Sequence, residues 1–287
     1  MAERDTRTIG GALRDAVRQL EAAGIAGAAR DARVLVAHVL GIAPSRLLLV
    51  EGDALEAGQA ARLAQLIARR ATREPVSHLT GRRAFYGRDF AVTPDVLDPR
   101  PETETLVEAA LRVPFGHVLD IGTGSGAILL TLLAERPGAT GTGSDLSARA
   151  LTVAQRNAQA LGVAGRTDFV QSDWFAAVAG RYDLIVSNPP YIAADEMAAL
   201  APELAHEPRM ALTDEGDGLS AYRALCAGAP AHLRRGGWLM VETGWQQGAA
   251  VAALFETAGF TGVAVRPDLD GRDRVVTGKW LRKQQFR

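Results

Sequence analysis

The chain lacks several features that would assign it to common classes of protein. One cysteine, Cys226, occurs in 287 residues, which excludes an internal disulfide and a multi-cysteine metal site. Its apolar neighbours predict a buried thiol rather than a nucleophile. The five histidines are scattered without the spacing of metal ligands, so no metal site is predicted.

Neither charge nor hydropathy indicates a nucleic-acid or membrane partner. Lys and Arg together number 32 and Asp and Glu together 33, and the formal net charge of -1 gives no global basic field to attract nucleic acid. No apolar stretch is long enough to span a membrane, and the opening segment MAERDTRTIG lacks the apolar core of a signal peptide. We therefore expect a cytoplasmic protein that binds no membrane and does not bind nucleic acid directly.

Hydrophobic periodicity divides the chain into three parts. Residues 1–73 carry apolar residues at helical spacing, for example Leu13 and Val17, which predicts a small bundle of helices. Residues 74–101 place glycine and proline around short aromatic and β-branched pieces, which predicts a hairpin connector. In residues 102–287 short apolar runs alternate with helical segments.

The third part predicts an α/β fold. We expect a helix from about Glu102 and then a doubly wound, mostly parallel, seven-stranded sheet, because strands that alternate with helices form parallel sheets. The predicted strands lie near 117–121, 139–145, 167–171, 182–187, 236–242, 260–266 and 273–279, and the predicted helices at about 126–136, 147–162, 218–233 and 247–258. Only PDLDGRD separates the last two strands, which is too short for a crossover helix, so one antiparallel strand is expected there.

A glycine-rich segment follows the first predicted strand of the sheet. In HVLDIGTGSGAILL, the residues Gly122, Thr123, Gly124, Ser125 and Gly126 lead from the strand into an apolar helix. Glycines at these places let the backbone turn tightly and approach a ligand, and the start of the helix offers free N–H groups. The alternative is a tight turn that binds nothing.

Acidic and aromatic residues end the next two predicted strands. Asp145 ends the second, where a carboxylate can accept hydrogen bonds from both hydroxyls of a ribose, although an aspartate here can also cap the following helix. Asp173 and Trp174 end the third and offer an acceptor for an exocyclic amine and a flat face for an adenine. A single tryptophan is more often a core residue. Together the three strand ends predict a nucleoside pocket at the carboxyl edge of the sheet.

The fourth predicted strand ends in the tetrapeptide NPPY. Pro189 and Pro190 have no N–H group and a fixed φ, and Asn188 is kept out of the helical region because a proline follows it. The rigid corner is expected to direct the amide oxygen of Asn188 and the carbonyl of Pro189 into the pocket, where two fixed acceptors suit a planar NH2 group. Accepting from that group favours the positive charge that grows on nitrogen as it attacks an electrophilic methyl. Tyr191 is expected to cover a flat substrate group.

These motifs together resemble a known enzyme family. The glycine loop, Asp145 and NPPY look like those of class I S-adenosylmethionine-dependent methyltransferases that act on planar NH2 groups. More narrowly, the chain resembles the release factor glutamine methyltransferase family (PrmC, once called HemK) over essentially its whole length. The resemblance is carried by EPVSHLTG, FYGRDF, LDPRPETETLV, QSDWF, SNPPYI, HEPRMAL, GDGL, VETGWQQ and DLDGRDRVVTG.

The resemblance implies a Rossmann-like, protein-(glutamine-N5) methyltransferase that serves translation termination. The methyl group of S-adenosyl-L-methionine would pass to the side-chain amide nitrogen of the glutamine in the Gly-Gly-Gln loop of peptide chain release factors, leaving S-adenosyl-L-homocysteine. The N-terminal domain would help to dock the release factor. The glycine loop, Asp145, Trp174 and Asn188 would contact the cofactor, to which the residue pattern adds Asp173, and residues 188–191 would hold the glutamine.

Other functions are compatible with parts of this pattern. The same chemistry could serve a glutamine of a ribosomal protein or an adenine of nucleic acid, although the neutral charge counts against nucleic acid. A non-catalytic adaptor that binds the cofactor is a further alternative, against which the intact NPPY argues. A dehydrogenase that transfers hydride is the alternative at the level of the fold, since similar sheets serve both reactions.

Overall fold

The computed structural model describes residues 8–281, and the chain forms two compact units. The first unit contains the chain up to Arg82 together with residues 201–206. The second contains residues 83–200 and the chain from Glu207 onward. Among residues 8–281, no helix combines the length and the apolar character that crossing a bilayer requires.

The first unit is helical, as the periodicity predicts. Its helices are α1 (Ile9–Ala22), α2 (Ala28–Leu40), α3 (Ala57–Ala71) and α4 (Val76–Thr80), with a 3-10 helix at Pro44–Leu49. Thr8 begins α1 by accepting a hydrogen bond from the backbone N–H of Gly11 at 3.1 Å. Gly41 ends α2 with a φ of 68°, the left-handed conformation that glycine adopts without strain. The apolar faces of the three longer helices share one core that includes Leu20 and Leu35.

A buried ion pair also stabilises the first unit. Arg70 on α3 donates from Nε to Asp31 on α2 at 2.9 Å, and both side chains are buried. The same guanidinium donates to Glu203 at 3.2 Å, and Glu203 belongs to the returning segment 201–206. The charge of Arg70 is therefore balanced from two distant parts of the chain.

The predicted hairpin is present between α4 and the sheet. Strands β1 (Arg82–Phe85) and β2 (Arg88–Ala91) pair with each other and are joined by Tyr86 and Gly87. Both joining residues have positive φ, 48° and 71°, as a two-residue hairpin turn of type I′ requires. The backbone N–H of Tyr86 donates to Glu104 at 2.8 Å, which ties the turn to the next helix of the second unit.

The second unit contains the predicted seven-stranded sheet. Its strands are β3 (His117–Ile121), β4 (Thr140–Asp145), β5 (Thr167–Gln171), β6 (Tyr182–Ser187), β7 (Leu233–Glu242), β8 (Thr261–Pro267) and β9 (Asp273–Lys279), in the order β5-β4-β3-β6-β7-β9-β8. Strands β3 to β7 are parallel, and β9 runs antiparallel to both of its neighbours, so the expected antiparallel strand is confirmed. The helices are α5 (Glu104–Leu111), α6 (Ala127–Glu135), α7 (Ala148–Ala160), α8 (Ser220–His232) and α9 (Gly248–Thr257).

Some element boundaries differ from the prediction, β7 and α5 among them. Strand β7 begins at Leu233 rather than near 236, because Gly236 and Gly237 continue the strand although glycines usually indicate a turn. Helix α5 begins at Glu104 rather than Glu102, since a 3-10 turn at Pro101–Thr103 precedes it.

The sheet is buried on both faces, and its register places the functional strand ends side by side. Leu119 and Ile185 are fully buried in the core that also contains Cys226, so the predicted buried thiol is confirmed, and burial raises the pKa of this thiol to about 12. Ile121 at the end of β3 is in register with Ser144 on β4 and with Ser187 on β6. The residues that follow these strands therefore meet at one edge of the sheet.

Candidate active site

A cleft of about 190 Å³ opens at this edge, within the second unit. It is lined by residues that follow β3, β4, β5 and β6 and by parts of the connector. Ten of the predicted site residues line it, namely Gly122, Thr123, Gly124, Ser125, Asp145, Asp173, Trp174, Asn188, Pro189 and Pro190. Gly126 and Tyr191 do not.

The glycine loop is shaped by left-handed backbone and by one buried carboxyl group. Gly122 and Gly124 have φ values of 70° and 55°, and a Cβ built on either would meet no atom within 4 Å. Asp120 accepts a hydrogen bond from the hydroxyl of Thr123 at 2.7 Å, which fixes the loop from within. Asp120 is fully buried, and burial raises its pKa to about 7.

Gly126 has a different role from the other glycines of the loop. Its φ is 81°, and a Cβ there would lie 2.8 Å from Cδ1 of Leu130 and 3.4 Å from Cβ of Ala154. The 2.8 Å approach is to the end of a side chain of the same helix, α6, whereas the 3.4 Å separation from Ala154 on α7 is an ordinary van der Waals contact. The backbone conformation therefore favours glycine here, and a Cβ would in addition require the side chain of Leu130 to move.

Asp145 holds the ends of β3 and β4 together through its carboxylate. One oxygen accepts from the backbone N–H of Gly124 and the other from the N–H of Ser147, both at 2.9 Å. Ser147, rather than Asp145, caps α7 by accepting from the N–H of Ala150 at 3.2 Å. Burial raises the pKa of Asp145, since the carboxylate is largely removed from solvent.

The segment after β5 contains a strained backbone. Trp174 has a φ of 47°, a conformation that bulky residues rarely adopt. The hydroxyl of Ser172 stabilises it by donating to the carbonyl oxygen of Trp174 at 2.9 Å and accepting from the N–H of Ala177 at 2.9 Å. Strain of this kind persists where the surroundings impose it, and it is common at ligand sites.

The NPPY corner lies beside the glycine loop. The hydroxyl of Ser187, just before it, donates to the carbonyl oxygen of Ile121 at 2.7 Å, so the two strand ends are joined directly. The side-chain nitrogen of Asn188 donates to the hydroxyl of Thr103 at 3.3 Å. The amide oxygen of Asn188 therefore lies on the side away from Thr103.

Tyr191 does not line the cleft. Its ring packs against the core between the sheet and helices α8 and α9, and burial raises the pKa of its hydroxyl to about 12. Its backbone carbonyl accepts from the side-chain nitrogen of Gln247 at 2.9 Å. This bond fixes the chain immediately after the two prolines.

Two family models match this chain. The family model described as "PrmC N-terminal domain" matches residues 11–81, and the one described as "Methyltransferase small domain" matches residues 97–220. The "Release factor glutamine methyltransferase" of Cereibacter sphaeroides is 61% identical over 93% of this chain and 97% of that relative. The protein of the same name from Rhodospirillum rubrum is 48% identical over 97% of this chain and 87% of that relative.

The chain belongs to the release factor glutamine methyltransferase family. It is an S-adenosylmethionine-dependent methyltransferase, and the predicted family, fold and enzyme class are confirmed. A solved methyltransferase structure from Pyrococcus furiosus has a similar fold, with a TM-score of 0.52 and 16% identity over 78% of this chain and 98% of that one.

The cleft of this methyltransferase fits S-adenosylmethionine. The open space beside Gly122 and Gly124 lets a ligand approach the backbone of the loop. Each carboxylate oxygen of Asp145 accepts one N–H bond and retains a further lone pair for a hydroxyl group. Asp173 and Trp174 add an exposed carboxylate and a half-buried aromatic face next to this site.

Sequence reasoning missed one residue that supports the site of this methyltransferase. Asn157 on α7 is buried and donates to the carbonyl oxygen of Ser125 at 2.8 Å. It also bonds to both the N–H and the carbonyl of Ala91 on β2, at 2.8 and 3.0 Å. One side chain thus links the glycine loop to the hairpin, and no local pattern around Asn157 indicates it.

The connector contributes a partly buried ion pair, for whose residues the sequence predicted no definite role. Arg100 donates to both carboxylate oxygens of Glu207, at 2.7 and 2.8 Å. Asp98 is also buried and lies 3.8 Å from Arg100 and 3.6 Å from Arg83. Because Arg100 lines the cleft, this network fixes one of its walls.

Proposed function

We propose that this enzyme transfers the methyl group of S-adenosylmethionine to the side-chain amide nitrogen of the glutamine in the Gly-Gly-Gln loop of peptide chain release factors. The orientation of Asn188 is the observation that carries the proposal. Its NH2 group donates to Thr103, so its oxygen is available as an acceptor in a cleft that also contains the glycine loop and Asp145. A family relative of 61% identity bears the name of this activity.

The cofactor is proposed to bind along the carboxyl edge of the sheet. The backbone of Gly122 and Gly124 approaches its polar end, Asp145 accepts from the ribose hydroxyls, and Asp173 and Trp174 hold the adenine. When bound, S-adenosylmethionine supplies an electrophilic methyl group.

The residues of NPPY are proposed to prepare the amide nitrogen for attack. An amide nitrogen is a poor nucleophile because its lone pair is delocalised into the carbonyl group. Two acceptors, the side-chain oxygen of Asn188 and the carbonyl of Pro189, would fix both N–H bonds and stabilise positive charge that grows on nitrogen. Pro190 keeps the corner rigid, and Tyr191 anchors it through its backbone bond to Gln247. The nitrogen gains one methyl group and loses one proton.

The first unit is proposed to help dock the release factor. Its 3-10 helix exposes Leu48 and Leu49, with 67% and 77% of their surface in solvent. Adjacent exposed leucines are typical of a surface that binds another protein. We also propose a cytoplasmic location, because that is where release factors act in translation termination.

Transfer of a labelled methyl group to a purified release factor tests the proposal. The wild-type enzyme is compared with Asn188→Ala, and the normal release factor with one whose loop glutamine is replaced by alanine. Label is expected in the wild-type reaction and in neither control. Transfer that persists after the glutamine is replaced would exclude that residue as the acceptor. Transfer to a ribosomal protein or to nucleic acid instead would assign a different substrate.

A further inference from the structure

Gln247, just before α9, contacts the carbonyl group that follows the two prolines of NPPY. Its Nε2 atom donates to the carbonyl oxygen of Tyr191 at 2.9 Å and to that of Gly218 at 3.3 Å. Its Oε1 atom accepts from the backbone N–H of Gly244 at 3.1 Å. Both hydrogens of the side-chain amide and one lone pair of its oxygen are therefore used, and all four residues belong to the second unit.

The three partners of Gln247 fix the orientation of its amide. A backbone carbonyl can only accept a hydrogen bond, and a backbone N–H can only donate one. A reversed amide would set its oxygen against two carbonyl groups and its NH2 group against the N–H of Gly244, so all three bonds would be lost. The side chain thus has one orientation in which every contact is satisfied.

The position of Gln247 indicates a purpose other than helix stability. Gln247 is the N-cap residue of α9, but its side chain makes no capping hydrogen bond to that helix. The side chains preferred at an N-cap are those of Ser, Thr, Asp and Asn, which reach the first turn of the helix. The longer amide of Gln247 instead bonds to two carbonyl groups outside α9.

The GDGL segment approaches the same carbonyl group closely. Gly218 has a φ of 73°, and a Cβ built on it would lie 2.4 Å from the carbonyl oxygen of Tyr191 and 2.9 Å from Nε2 of Gln247. Asp214 holds this segment by accepting from the backbone N–H groups of Gly216 and Gly218 at 2.9 and 3.0 Å. Two backbone segments therefore meet where only glycine fits, and Gln247 bonds to both of them.

The two prolines make the corner depend on bonds at its ends. Pro189 and Pro190 have no N–H group, so neither can donate a backbone hydrogen bond to the rest of the fold. At the N-terminal end, the hydroxyl of Ser187 joins the corner to the end of β3 at 2.7 Å. At the C-terminal end, the bond from Gln247 to Tyr191 provides the corresponding attachment.

We propose that Gln247 is a positioning residue that fixes the NPPY corner from its C-terminal end. The inference rests on the proposed function, in which Asn188 and Pro189 present two acceptors to the amide nitrogen of the substrate. Gln247 does not line the cleft, so it acts through the backbone of Tyr191 and not on the reacting atoms. A misplacement of about 1 Å can cost about 100-fold in rate, so turnover should depend on this attachment.

Kinetics of variants at two adjacent glutamines provide the first test. Gln247→Leu removes all three bonds, whereas Gln247→Glu keeps the shape and an oxygen for Gly244 but has no NH2 group to donate. Gln246→Leu is the matched control, since Gln246 is the exposed preceding residue. We expect both Gln247 variants to lower kcat by about 10- to 100-fold, with the KM for release factor and the Kd for S-adenosylmethionine unchanged.

The control variant is expected to keep the wild-type kcat. A wild-type kcat in either Gln247 variant would overturn the proposal, because the donated bonds would then be dispensable. An equal loss in Gln246→Leu would overturn it as well, and so would a loss that appears in the Kd for S-adenosylmethionine in place of kcat, since that result would indicate a general disturbance of the fold.

A second measurement needs neither substrate nor cofactor. A Tyr-Ile pair occurs once in the chain, at Tyr191 and Ile192, so 13C at tyrosine carbonyls and 15N at isoleucine give one NMR cross-peak from this peptide bond. The carbonyl resonance is expected to shift in both Gln247 variants and to stay unchanged in Gln246→Leu. An unshifted resonance in both Gln247 variants overturns the positioning role by itself. Failure of the wild-type enzyme to methylate a release factor overturns the proposed function, and the carbonyl resonance still decides whether Gln247 holds the corner.

Discussion

The side chain of Asn157 holds the carbonyl oxygen of Ser125 at 2.8 Å, and this bond joins helix α7 to the glycine loop. The same amide pairs with the backbone of Ala91 through two further bonds. We expect the loop to depend on this side chain both for its conformation and for its affinity for the cofactor.

Replacement of Asn157 by leucine should therefore destabilise the protein. The change leaves buried backbone groups without partners, and we expect the free energy of unfolding to fall by about 2 to 4 kcal/mol. Urea denaturation measures this change, and calorimetric titration should show weaker binding of S-adenosylmethionine. Gln159→Leu, at an exposed position of the same helix, is the control and should change stability by less than about 0.5 kcal/mol. Equal stability of the two variants would contradict the role of Asn157.

Two glycines of the loop should respond differently to replacement by alanine. Both have positive φ, so each substitution carries a similar conformational penalty of about 1 to 2 kcal/mol. A Cβ at Gly126 also collides with Leu130, whereas one at Gly122 meets open space beside the cleft. Gly126→Ala should thus lose more thermal stability, and Gly122→Ala should lose more affinity for S-adenosylmethionine. The reverse order in either measurement would show that the two roles are wrongly assigned.

The buried carboxyl group of Asp120 should make stability depend on pH. Its pKa is about 7 in the folded chain against an ordinary value of 3.8, so between these values the folded state binds a proton that the unfolded state has released. The stabilisation that this bound proton gives the folded state is fully present below about pH 4 and is lost as the pH rises to about 7. The free energy of unfolding therefore falls as the pH rises through this range.

Asp120→Asn cannot titrate but keeps an oxygen to accept from Thr123. The unfolding free energy of this variant, relative to that of wild type, should increase between about pH 4 and pH 7 by up to about 1.4 kcal/mol per pH unit. Urea denaturation at several pH values measures the difference. Gln159→Leu, which changes no titratable group, is the control and should differ from wild type by the same amount at every pH. A flat difference for Asp120→Asn would contradict the prediction.

The exposed leucines of the first unit should affect the binding of release factor and no other step. Burial of a leucine is worth about 1.5 to 3 kcal/mol, so the double variant Leu48→Ser, Leu49→Ser should raise the KM for release factor about tenfold or more. The kcat and the affinity for S-adenosylmethionine should stay at wild-type values. Leu269→Ser changes a fully exposed leucine of the second unit and should leave KM unaltered. An unchanged KM in the double variant would place the docking surface elsewhere.

Local patterns were sufficient to predict the order of the elements and the strand ends that form the cleft. Alternating apolar runs predict the strands, and glycine, proline and acidic residues are visible just after them, so Gly122, Asp145 and Asn188 were accessible from sequence alone. Parallel strands bring their carboxyl ends to one edge of the sheet, which is why the sequence alone groups these residues.

Contacts between distant residues could not be predicted in this way. Asn157 lies within an amphipathic helix, where a polar residue usually faces solvent, and only the approach of β2 makes it an internal link. Thr103 and Asn188 are far apart in the chain and meet at the wall of the cleft. Gly126 matches the pattern of a cofactor loop, yet a side chain there would also meet that of Leu130 on the helix that follows.

The return of residues 201–206 to the first unit has a consequence for dividing this protein experimentally. A single cut in the chain cannot separate the two units, because a short segment inserted in the sequence of the second completes the first. A fragment that ends near Arg82 would lack Glu203 and leave Arg70 with only Asp31 to balance its charge. Independent expression of the helical unit would therefore need that segment supplied through a new covalent linkage.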